Sequence, residues 1–366
     1  MRIAFLTDGI WPDAIGGMQK HSFYLIKYLA LNDIKVDVYY AAENANVVIK
    51  NFSFDETLNI KFYKINFPKS SIKFPGHYLY SSYKFSKNIF KEFLNNQSYD
   101  FIYAQGFTSW YFCKKGVKVG SNLHGLEMFQ FTKGFKHKLI QTLMRIPAKY
   151  IIKKSEISFS LGGKLTQILE QNNAKKILVT PIGIDDNWLT EPRNKNITTH
   201  FVFVGRNEWR KSVDSIYLSL KEISEFNYHF HFIGVNQPEN LQSEKVSFYG
   251  EIKDPIKIKS ILSKCDVLVC PSLAEGMPTV ILEAMACGLA IIATDTGATS
   301  LLVNNKNGDL IEVNDAIQLK QSLLRFIEME NDELFQLKNE SINLVKNQFL
   351  WSNSIKTTIQ AIKSVL

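Results

Sequence analysis

The sequence predicts an α/β fold with two domains, each built on a parallel sheet that helices cover on both faces. The chain of 366 residues is too long for one ordinary hydrophobic core. Short apolar runs alternate with helix-like segments in both halves, and a polar, irregular segment at 186–199 separates the halves. We therefore predict an N-terminal domain at 1–185, a linker at 186–199 and a C-terminal domain at 200–345, followed by a terminal helix at 346–366.

The elements of the N-terminal half follow from their periodicity. A short apolar run predicts a first buried strand, and apolar residues at helical spacing then predict a helix. Further apolar runs predict three more strands. In chain order these predicted elements are strand 3–6, helix 18–30 and strands 36–40, 101–104 and 117–122.

The C-terminal half repeats the alternation, and its tail at 332–366 is predicted to be helical. Strands are predicted where β-branched and aromatic residues cluster, and helices where apolar residues recur every three to four positions. The predicted order is strand 201–205, helix 212–225, strands 230–234 and 246–249, helix 255–263, strand 267–270, helix 278–287 and strand 290–293.

Composition and charge indicate a globular protein and narrow the choice of partner. Hydrophobic residues make up 45% and charged residues 21% of the chain. The net charge is +8, and residues 1–186 carry 25 Lys and Arg against 14 Asp and Glu. This bias favours an anionic partner for the first half, or equally a solubility surface. The four cysteines lack metal-ligand spacing and favour a reducing cytoplasm as the location of the protein. No apolar run reaches the ~20 residues of a membrane-spanning helix.

The segment at 271–293 carries the most specific pattern of the chain. Glu275 stands in a loop after the strand 267–270, and Glu283 stands inside the following helix, which begins at Pro278 and ends at Gly288. A loop and a helix N-terminus at the end of a strand suit an anionic ligand that also has hydroxyl groups.

Two basic residues follow the strand 201–205, and a glycine pair follows the first strand. Arg206 and Lys211 would stabilise a diphosphate leaving group, although without the other motifs they are more typical of an exposed basic turn. Arg210, beside Lys211, is predicted to be exposed to solvent on the surface. Gly16 and Gly17 would let backbone N–H groups approach a phosphate. The surrounding sequence lacks the G-x-G-x-x-G pattern of dinucleotide-binding proteins.

A histidine follows the predicted strand 117–122. His124, in the stretch SNLHGLE, stands at a strand end before Gly125, where side chains point into clefts more often than into cores. A lone histidine is more often structural, so its role depends on the neighbouring motifs. His21 lies in the first helix and is expected to be packing or surface.

Four ordered motifs resemble glycosyltransferase family 4. They are Gly16-Gly17, TPIGID at 180–185, FVGRNEWRKSVD at 203–214 and the segment at 271–297. The resemblance covers nearly the whole chain. It implies the GT-B fold, two Rossmann-like doubly wound domains facing each other across a cleft, with the terminal helix crossing back to the first domain. It also implies transfer of a sugar from a UDP- or GDP-sugar to an acceptor hydroxyl with retention of configuration, without a metal or other cofactor.

The resemblance also assigns roles to single residues. Arg206 and Lys211 fall on the positions that bind the donor diphosphate. Glu283 falls on the residue that binds the ribose, Glu275 on the carboxylate that faces the donor sugar, and His124 on a histidine that contacts the transferred sugar. The donor-binding backbone is implied at Gly16, Gly17, Ile252, Gly276, Met277, Pro278, Thr279 and Val280, where Ile252 belongs to the loop that reads the base.

The sequence departs from the family pattern at one position, and two rival functions remain open. Leu301 stands where the family usually has a glutamate, which leaves transfer plausible and also allows a catalytically inactive relative that binds sugar nucleotides or membranes. A nucleotide-sugar epimerase on the same fold would use His124 and Glu275 as acid and base. A nucleic-acid binder explains the basic half but none of the C-terminal motifs, so no nucleic-acid partner is expected.

Two basic, aromatic stretches at 67–93 and 133–154 suggest a surface for anionic lipid. Such interleaving also suits single-stranded nucleic acid, and domain helices with solvated faces explain it about equally well. We expect a cytoplasmic enzyme with peripheral membrane contact. Its acceptor would be a saccharide or lipid-linked saccharide in the synthesis of cell-surface polysaccharide, lipopolysaccharide or glycolipid.

Overall fold

A computed structural model describes residues 1–14, 16–41, 58–68, 76–96, 98–194, 197–238 and 243–366. The chain divides into two compact units. The first comprises Met1–Phe129, Gly134–Ile182 and Ser354–Leu366, and the second comprises Gln130–Lys133 and Gly183–Asn353. Part of the basic stretch predicted at 67–93, including Lys69, Lys73 and Phe74, lies outside the described residues.

The first unit contains a seven-stranded parallel sheet with the order β3-β2-β1-β4-β5-β6-β7. Its strands are β1 Arg2–Thr7, β2 Lys35–Ala41, β3 Ile60–Ile65, β4 Phe101–Gln105, β5 Gly120–Asn122, β6 Ile157–Ser160 and β7 Ile177–Val179. Its helices are α1 Gly17–Ala30, α2 His77–Phe93, α3 Trp110–Lys114, α4 Phe135–Lys154 and α5 Lys164–Gln171.

The central strand β1 is apolar at nearly every position because helices and loops cover both faces of the sheet. Ile3 pairs with Val36 on one side and Phe101 on the other, and all three belong to central strands. The predicted strand at 117–122 is shorter in the structure, which places only Gly120–Asn122 in the sheet. The sequence analysis named none of β3, β6 and β7.

The second unit contains a six-stranded parallel sheet with the order β10-β9-β8-β11-β12-β13. Its strands are β8 Thr199–Val204, β9 Tyr228–Ile233, β10 Val246–Phe248, β11 Val267–Cys270, β12 Ala290–Thr294 and β13 Gly308–Ile311. Its helices are α6 Val213–Glu222, α7 Pro255–Leu262, α8 Thr279–Ala286, α9 Ala316–Glu328 and α10 Asn331–Leu344. The final helix, α11 Trp351–Lys363, belongs to the first unit from Ser354 onward.

Both sheets are doubly wound, which confirms the predicted pair of parallel-sheet α/β domains. The strand order reverses between β1 and β4 in the first unit and between β8 and β11 in the second. At such a point the loops after the two central strands leave in opposite directions, and ligands bind in the crevice between them. The loops after β1, β4, β8 and β11 are therefore the places to look for a functional site.

The cores are apolar, and the second one also contains a buried ion pair. In the second unit, Phe201, Phe230 and Phe232 are fully buried between the sheet and its helices. The Lys338 ammonium on α10 lies 2.9 Å from the Asp266 carboxylate, which immediately precedes β11, and the two side chains are 1% and 0% exposed. The second Asp266 oxygen accepts a hydrogen bond from the His200 N–H, so the carboxylate ties α10 to two strands.

All four cysteines are free and buried. Burial raises the pKa of each thiol, to about 12 for Cys265 and about 11 for Cys287, so all four are inert core residues. Within the described part of the chain, no helix has both the length and the apolar character needed to cross a membrane.

Candidate active site

An ion pair joins the loops after the two central strands of the second unit. Lys211 ends a short 3-10 turn, Trp209–Lys211, after β8, and Glu275 stands in the loop after β11. The Lys211 Nζ lies 2.5 Å from the Glu275 Oε1, and the Arg210 Nη1 lies 3.6 Å from the Oε2. The strand-order reversal thus brings together two residues that the sequence analysis singled out, 64 positions apart in the chain.

Lys211 keeps its positive charge in this environment. Burial acts to lower the pKa of the Lys211 ammonium, but the attraction and hydrogen bond of Glu275 outweigh burial, so the net pKa is raised. The ammonium is only 15% exposed and remains cationic across the physiological range. A fixed, protonated amine at this point can stabilise a phosphate group across the physiological pH range.

A second carboxylate organises the two arginines of the same loop. Glu208 lies 2.9 Å from the Arg206 Nη2 through one oxygen and 2.9 Å from the Arg210 Nε through the other. The interpretation of Arg210 as solvated surface was wrong: its side chain is 22% exposed and pairs with both Glu208 and Glu275. Arg206 is 66% exposed, which leaves it open to an anionic ligand.

Gly205 has a packing role that the sequence analysis did not foresee. A Cβ atom at Gly205 would lie 3.1 Å from the Phe203 ring. Gly234 adopts a left-handed φ of 91°, and a side chain there would overlap the Gly205 carbonyl. The loops after β8 and β9 therefore pack backbone to backbone because Gly234 has no side chain, and Gly205 leaves room for the Phe203 ring.

The Glu275 loop is supported by residues to which the sequence analysis gave no role. The Gln130 side-chain amide donates a hydrogen bond to the Glu275 carbonyl at 2.6 Å. The Gln130 Oε1 accepts a hydrogen bond from the Thr296 hydroxyl at 2.5 Å. Gly297 has a left-handed φ of 55°, and a side chain there would overlap the carbonyls of Glu275 and Gly276. The Ala298 N–H donates to the Gly276 carbonyl at 2.8 Å, which completes the support.

The predicted backbone site follows directly after Glu275. Gly276, Met277 and Pro278 lead into α8, and Thr279 and Val280 are its first two residues and are partly exposed. The first N–H groups of a helix have no partner within the helix and attract anions. Glu283 lies in the second turn of α8 and is buried.

Ile252 and Leu301 lie in other loops at the same edge of the sheet. Ile252 follows β10, and this loop is tied to the loop after β9 by a 2.7 Å hydrogen bond from the Gly234 N–H to the Gly250 carbonyl. Leu301 ends the 3-10 turn Thr299–Leu301 after β12, and its side chain is 37% exposed.

His124 belongs to a hydrogen-bonded cluster in the first unit. Its Nε2 bonds to the Gln105 Oε1, and the Gln105 amide lies 3.1 Å from the His21 Nδ1. His124 has a left-handed φ of 54°, held by a 2.9 Å hydrogen bond from its N–H to the Asn122 side chain. Burial lowers the pKa of both imidazoles, to about 3 for His21, so both rings are neutral. His21, expected to be packing or surface, is buried in this cluster.

The glycine pair lies at the start of α1, also at the strand-order reversal: Gly16 directly precedes the helix and Gly17 is its first residue. A Cβ atom at Gly17 would meet no other atom within 4 Å, so the backbone there is open to a ligand. A Cβ atom at Gly16 would instead overlap the Gln19 side chain. Gly16 therefore makes room for Gln19, a role that the phosphate-binding prediction did not include.

Sequence reasoning missed several residues at these sites. Gln130 and Gln105 lie outside the four motifs, and Glu208 lies inside the motif at 203–214 but was given no role. Single polar residues in loops are common, and only the folded chain shows their partners. Asp8 carried one usable signal, a carboxylate directly after the first buried strand. Among the described residues, no three His, Cys, Asp or Glu side chains are grouped as a metal ion would require.

Comparison with known proteins connects this geometry to a class of enzyme. The sequence model of the family described as "Glycosyl transferases group 1" matches residues 198–329, which include Arg206, Lys211, Glu275 and Glu283. An uncharacterized glycosyltransferase of Methanocaldococcus jannaschii is 25% identical over 96% of this chain and 95% of its own length. An N,N'-diacetylbacillosaminyl-diphospho-undecaprenol alpha-1,3-N-acetylgalactosaminyltransferase of Campylobacter jejuni is 27% identical over 69% of this chain and 75% of its own.

Solved structures share the fold. Sucrose-phosphate synthase from Thermosynechococcus elongatus matches with a TM-score of 0.80 at 16% identity, covering 100% of this chain and 98% of that chain. HepE of Anabaena, solved in complex with UDP, matches with a TM-score of 0.70 at 17% identity, covering 100% of both chains. The fold is GT-B, and the comparisons together support a glycosyltransferase.

Proposed function

We propose that this protein is a retaining glycosyltransferase of family 4. It transfers a sugar from a nucleoside diphosphate sugar, UDP- or GDP-linked, to an acceptor hydroxyl, without a metal ion or other cofactor. The observation that carries the proposal is the Lys211–Glu275 pair at the strand-order reversal of the second unit. It combines a cation for the diphosphate with a carboxylate for the sugar, at the point of a doubly wound sheet where ligands bind.

The surrounding groups support a diphosphate ligand. Arg206 is exposed and cationic, and the N-terminus of α8 offers the N–H groups of Thr279 and Val280. In the described part of the chain, the structure gives these two N–H groups no hydrogen-bond partner. Two cations and a helix N-terminus stabilise the negative charge that develops on a departing diphosphate, the role that a divalent cation has in other transferases.

Glu275 acts on the sugar rather than on the phosphate in this proposal. When the donor diphosphate binds Lys211, it competes with Glu275 for the ammonium and leaves the carboxylate free to accept hydrogen bonds from sugar hydroxyls. The bond between C1 of the donor sugar and the phosphate oxygen breaks. The hydroxyl oxygen of the acceptor bonds to C1 on the face that the phosphate leaves, and the hydroxyl proton passes to the departing phosphate. Glu283 would bind the ribose, and His124 the transferred sugar.

The relatives suggest the class of acceptor. The name of the Campylobacter jejuni relative specifies a saccharide linked through a diphosphate to undecaprenol. Another relative, over 58% of this chain, is the capsular polysaccharide biosynthesis glycosyltransferase CapM of Staphylococcus aureus. We propose that this protein adds a sugar to a saccharide or lipid-linked saccharide in cell-surface polysaccharide, lipopolysaccharide or glycolipid synthesis.

A donor screen tests the function. Ligand-observed NMR with UDP-, GDP- and ADP-sugars is expected to show one donor that binds the wild type and is lost in Arg206→Ala and Glu283→Ala. Arg325→Ala is a suitable control, because Arg325 is partly exposed and pairs with Asp309 and Glu333. If no nucleotide-sugar binds the wild type, or if binding survives in both site variants, the proposed site is wrong.

We further propose that the enzyme is cytoplasmic and contacts the anionic inner face of the membrane through α4. Phe135, Leu139 and Ile146 are 84%, 53% and 67% exposed. Their spacing of four and seven residues puts them on one face of the helix. The exposed lysines Lys138, Lys149 and Lys153 lie on the same helix. Exposed apolar side chains beside lysines are typical of helices that lie in the interface of an anionic bilayer.

Vesicle sedimentation tests this surface. Wild-type protein is expected to sediment with vesicles of equal parts phosphatidylglycerol and phosphatidylcholine at low salt, and not with phosphatidylcholine alone. The triple variant Phe135→Ser, Leu139→Ser and Ile146→Ser should lose most of this binding, because its lysines alone provide only the electrostatic attraction. Leu218→Ser is the control, since Leu218 is 58% exposed on α6 of the second unit. Equal sedimentation of wild type and triple variant would exclude α4 as the contact.

A further inference from the structure

We infer that Asp8 binds a hydroxyl group of the sugar acceptor and that Gln19 orients its carboxylate for this contact. The inference rests on the proposed glycosyl transfer and adds an acceptor-binding residue to it. Neither the four sequence motifs nor the family match at residues 198–329 includes Asp8.

Asp8 lies where the first unit is expected to bind a ligand. It is the first residue after β1, one of the two strands between which the order of the sheet reverses. The Gln19 Nε2, on the first turns of α1, donates a 3.0 Å hydrogen bond to the Asp8 Oδ1. Within the described residues, no other side chain forms a hydrogen bond with Asp8, so the Oδ2 can accept one from a ligand.

The glycine pair contributes to the orientation of this carboxylate. A side chain at Gly16 would overlap the Gln19 Oε1, the other end of the amide that donates to Asp8. Gly16 therefore lets the amide lie between the backbone of the loop and the carboxylate. Gly16, Gln19 and Asp8 form one arrangement in which the direction of the carboxylate is fixed before a ligand arrives.

The charge around Asp8 identifies the kind of ligand. Among the described residues, the neutral Gln19 on α1 is the only side chain that shifts the pKa of Asp8, and no cation perturbs the carboxylate. Tyr78 on α2 lies close enough for the charge of Asp8 to act on its hydroxyl. Burial raises the pKa of Asp8 to about 6, while the Gln19 hydrogen bond acts to lower it. Burial also raises the pKa of the Tyr78 hydroxyl, and the negative charge of Asp8 adds to the rise.

A desolvated carboxylate without a cation repels a diphosphate and accepts hydrogen bonds from neutral hydroxyl groups. The cations that suit the donor, Arg206 and Lys211, belong to the second unit. The ligand of Asp8 is therefore the sugar part of the acceptor rather than the nucleotide of the donor. Sugar hydroxyls can also donate hydrogen bonds to the carboxylate in place of those from water that burial removed.

The first test measures the acceptor kinetics of Asp8→Asn. A panel of methyl glycosides and polyprenyl diphosphate sugars is offered with the donor found in the screen, and the best acceptor is used. Asp8→Asn is expected to raise the acceptor KM about tenfold or more, the usual effect of losing a hydrogen bond to a charged group. Donor binding should not change. Asp33→Asn is the matched control, because Asp33 is exposed in the turn after α1.

The second test is a pH profile that a purely structural role would not move. The carboxylate gains a proton as the pH falls through about 6, so the wild-type acceptor KM should rise below that pH. Gln19→Leu removes the hydrogen bond that lowers the pKa of Asp8, so this rise should begin at a higher pH. In Asp8→Asn the acceptor KM should lose its dependence on pH in this range.

A third readout needs no acceptor. Because the unfolded chain ionises Asp8 at a lower pH than the folded chain, its charge costs stability at neutral pH and none below the unfolded pKa. Asp8→Asn should therefore raise the Tm at pH 7.5 and lose this advantage as the pH falls towards 4. A lower Tm at pH 7.5 would indicate a structural role and overturn the inference.

The outcomes separate this inference from the proposed function. If wild-type protein transfers sugar and Asp8→Asn keeps the wild-type acceptor KM from pH 5 to 8, the inference is wrong and the proposed function stands. If the wild type transfers sugar to no acceptor of the panel, the proposed function fails and the inference fails with it. Loss of donor binding in Asp8→Asn would also contradict the inference, because it would place Asp8 at the donor.

Discussion

Replacing Lys211 by methionine is expected to lower kcat/KM for the sugar donor by about 100- to 1,000-fold, the usual effect of removing one group that stabilises charge in the transition state. Lys211 is the buried cation at the strand-order reversal, and the attraction of Glu275 keeps it protonated. Methionine has a similar length and no charge. The variant would therefore keep much of the packing and lose the stabilisation of the departing diphosphate. Steady-state kinetics with a fixed acceptor measures the effect.

Two further variants show whether the charge or the packing is responsible. Lys221→Met removes an exposed lysine from the last turn of α6 and should leave kcat/KM unchanged. Lys211→Arg keeps the positive charge and should retain more activity than Lys211→Met, although its planar group does not match the single short contact to Glu275. If Lys211→Met keeps wild-type kcat/KM while its Tm is unchanged, Lys211 does not bind the diphosphate.

Replacing Lys338 by methionine is expected to lower the free energy of unfolding by about 3–5 kcal/mol, the usual cost of breaking a buried ion pair from one side. Lys338 and Asp266 are almost fully buried. The ammonium also donates to the Arg193 carbonyl at 2.8 Å, so its loss leaves two acceptors without that donor. The remaining Asp266 charge would stay in an apolar environment. Urea-induced unfolding of the full chain measures the change.

An exposed ion pair supplies the comparison. Lys175 and Glu156 lie 3.5 Å apart and are each about half exposed, so Lys175→Met should change the free energy of unfolding by about 1 kcal/mol or less. Adding Asp266→Asn to Lys338→Met should recover part of the loss, because it removes the unpaired charge. If both single lysine variants have the same small effect, the buried pair does not stabilise the second unit.

The sequence predicted much of the fold because apolar strands in parallel sheets are easy to recognise. The strands β1, β2, β4 and β11 fall within a residue or two of their predicted ranges, and all have nearly continuous buried patterns. The strands β3, β6, β7 and β13 were not predicted. They lie towards the edges of their sheets, and β3, β7 and β13 are only partly buried, so their apolar pattern is weaker.

Part of the candidate site could also be predicted from sequence. Arg206, Lys211, Glu275 and Glu283 carried motifs with fixed spacing, and the structure pairs two of them. Arg210 was misjudged, since nothing local distinguishes an arginine on a solvated turn from one that points at a carboxylate 65 positions further along the chain. Gln130 and Asp8 show the same limit, because their partners are distant in sequence or lie on another element.

The sequence alone determined the class of fold, the two parallel sheets and the residue types available at the candidate site. These features depend on local periodicity and on short motifs, which are visible in the sequence without the tertiary structure. Only the tertiary structure decided that Lys211 pairs with Glu275, that Gln19 holds Asp8 and that His124 shares Gln105 with His21. The reason is physical: hydrogen bonds and desolvation depend on distances of a few ångströms, and the order of strands in a sheet sets those distances.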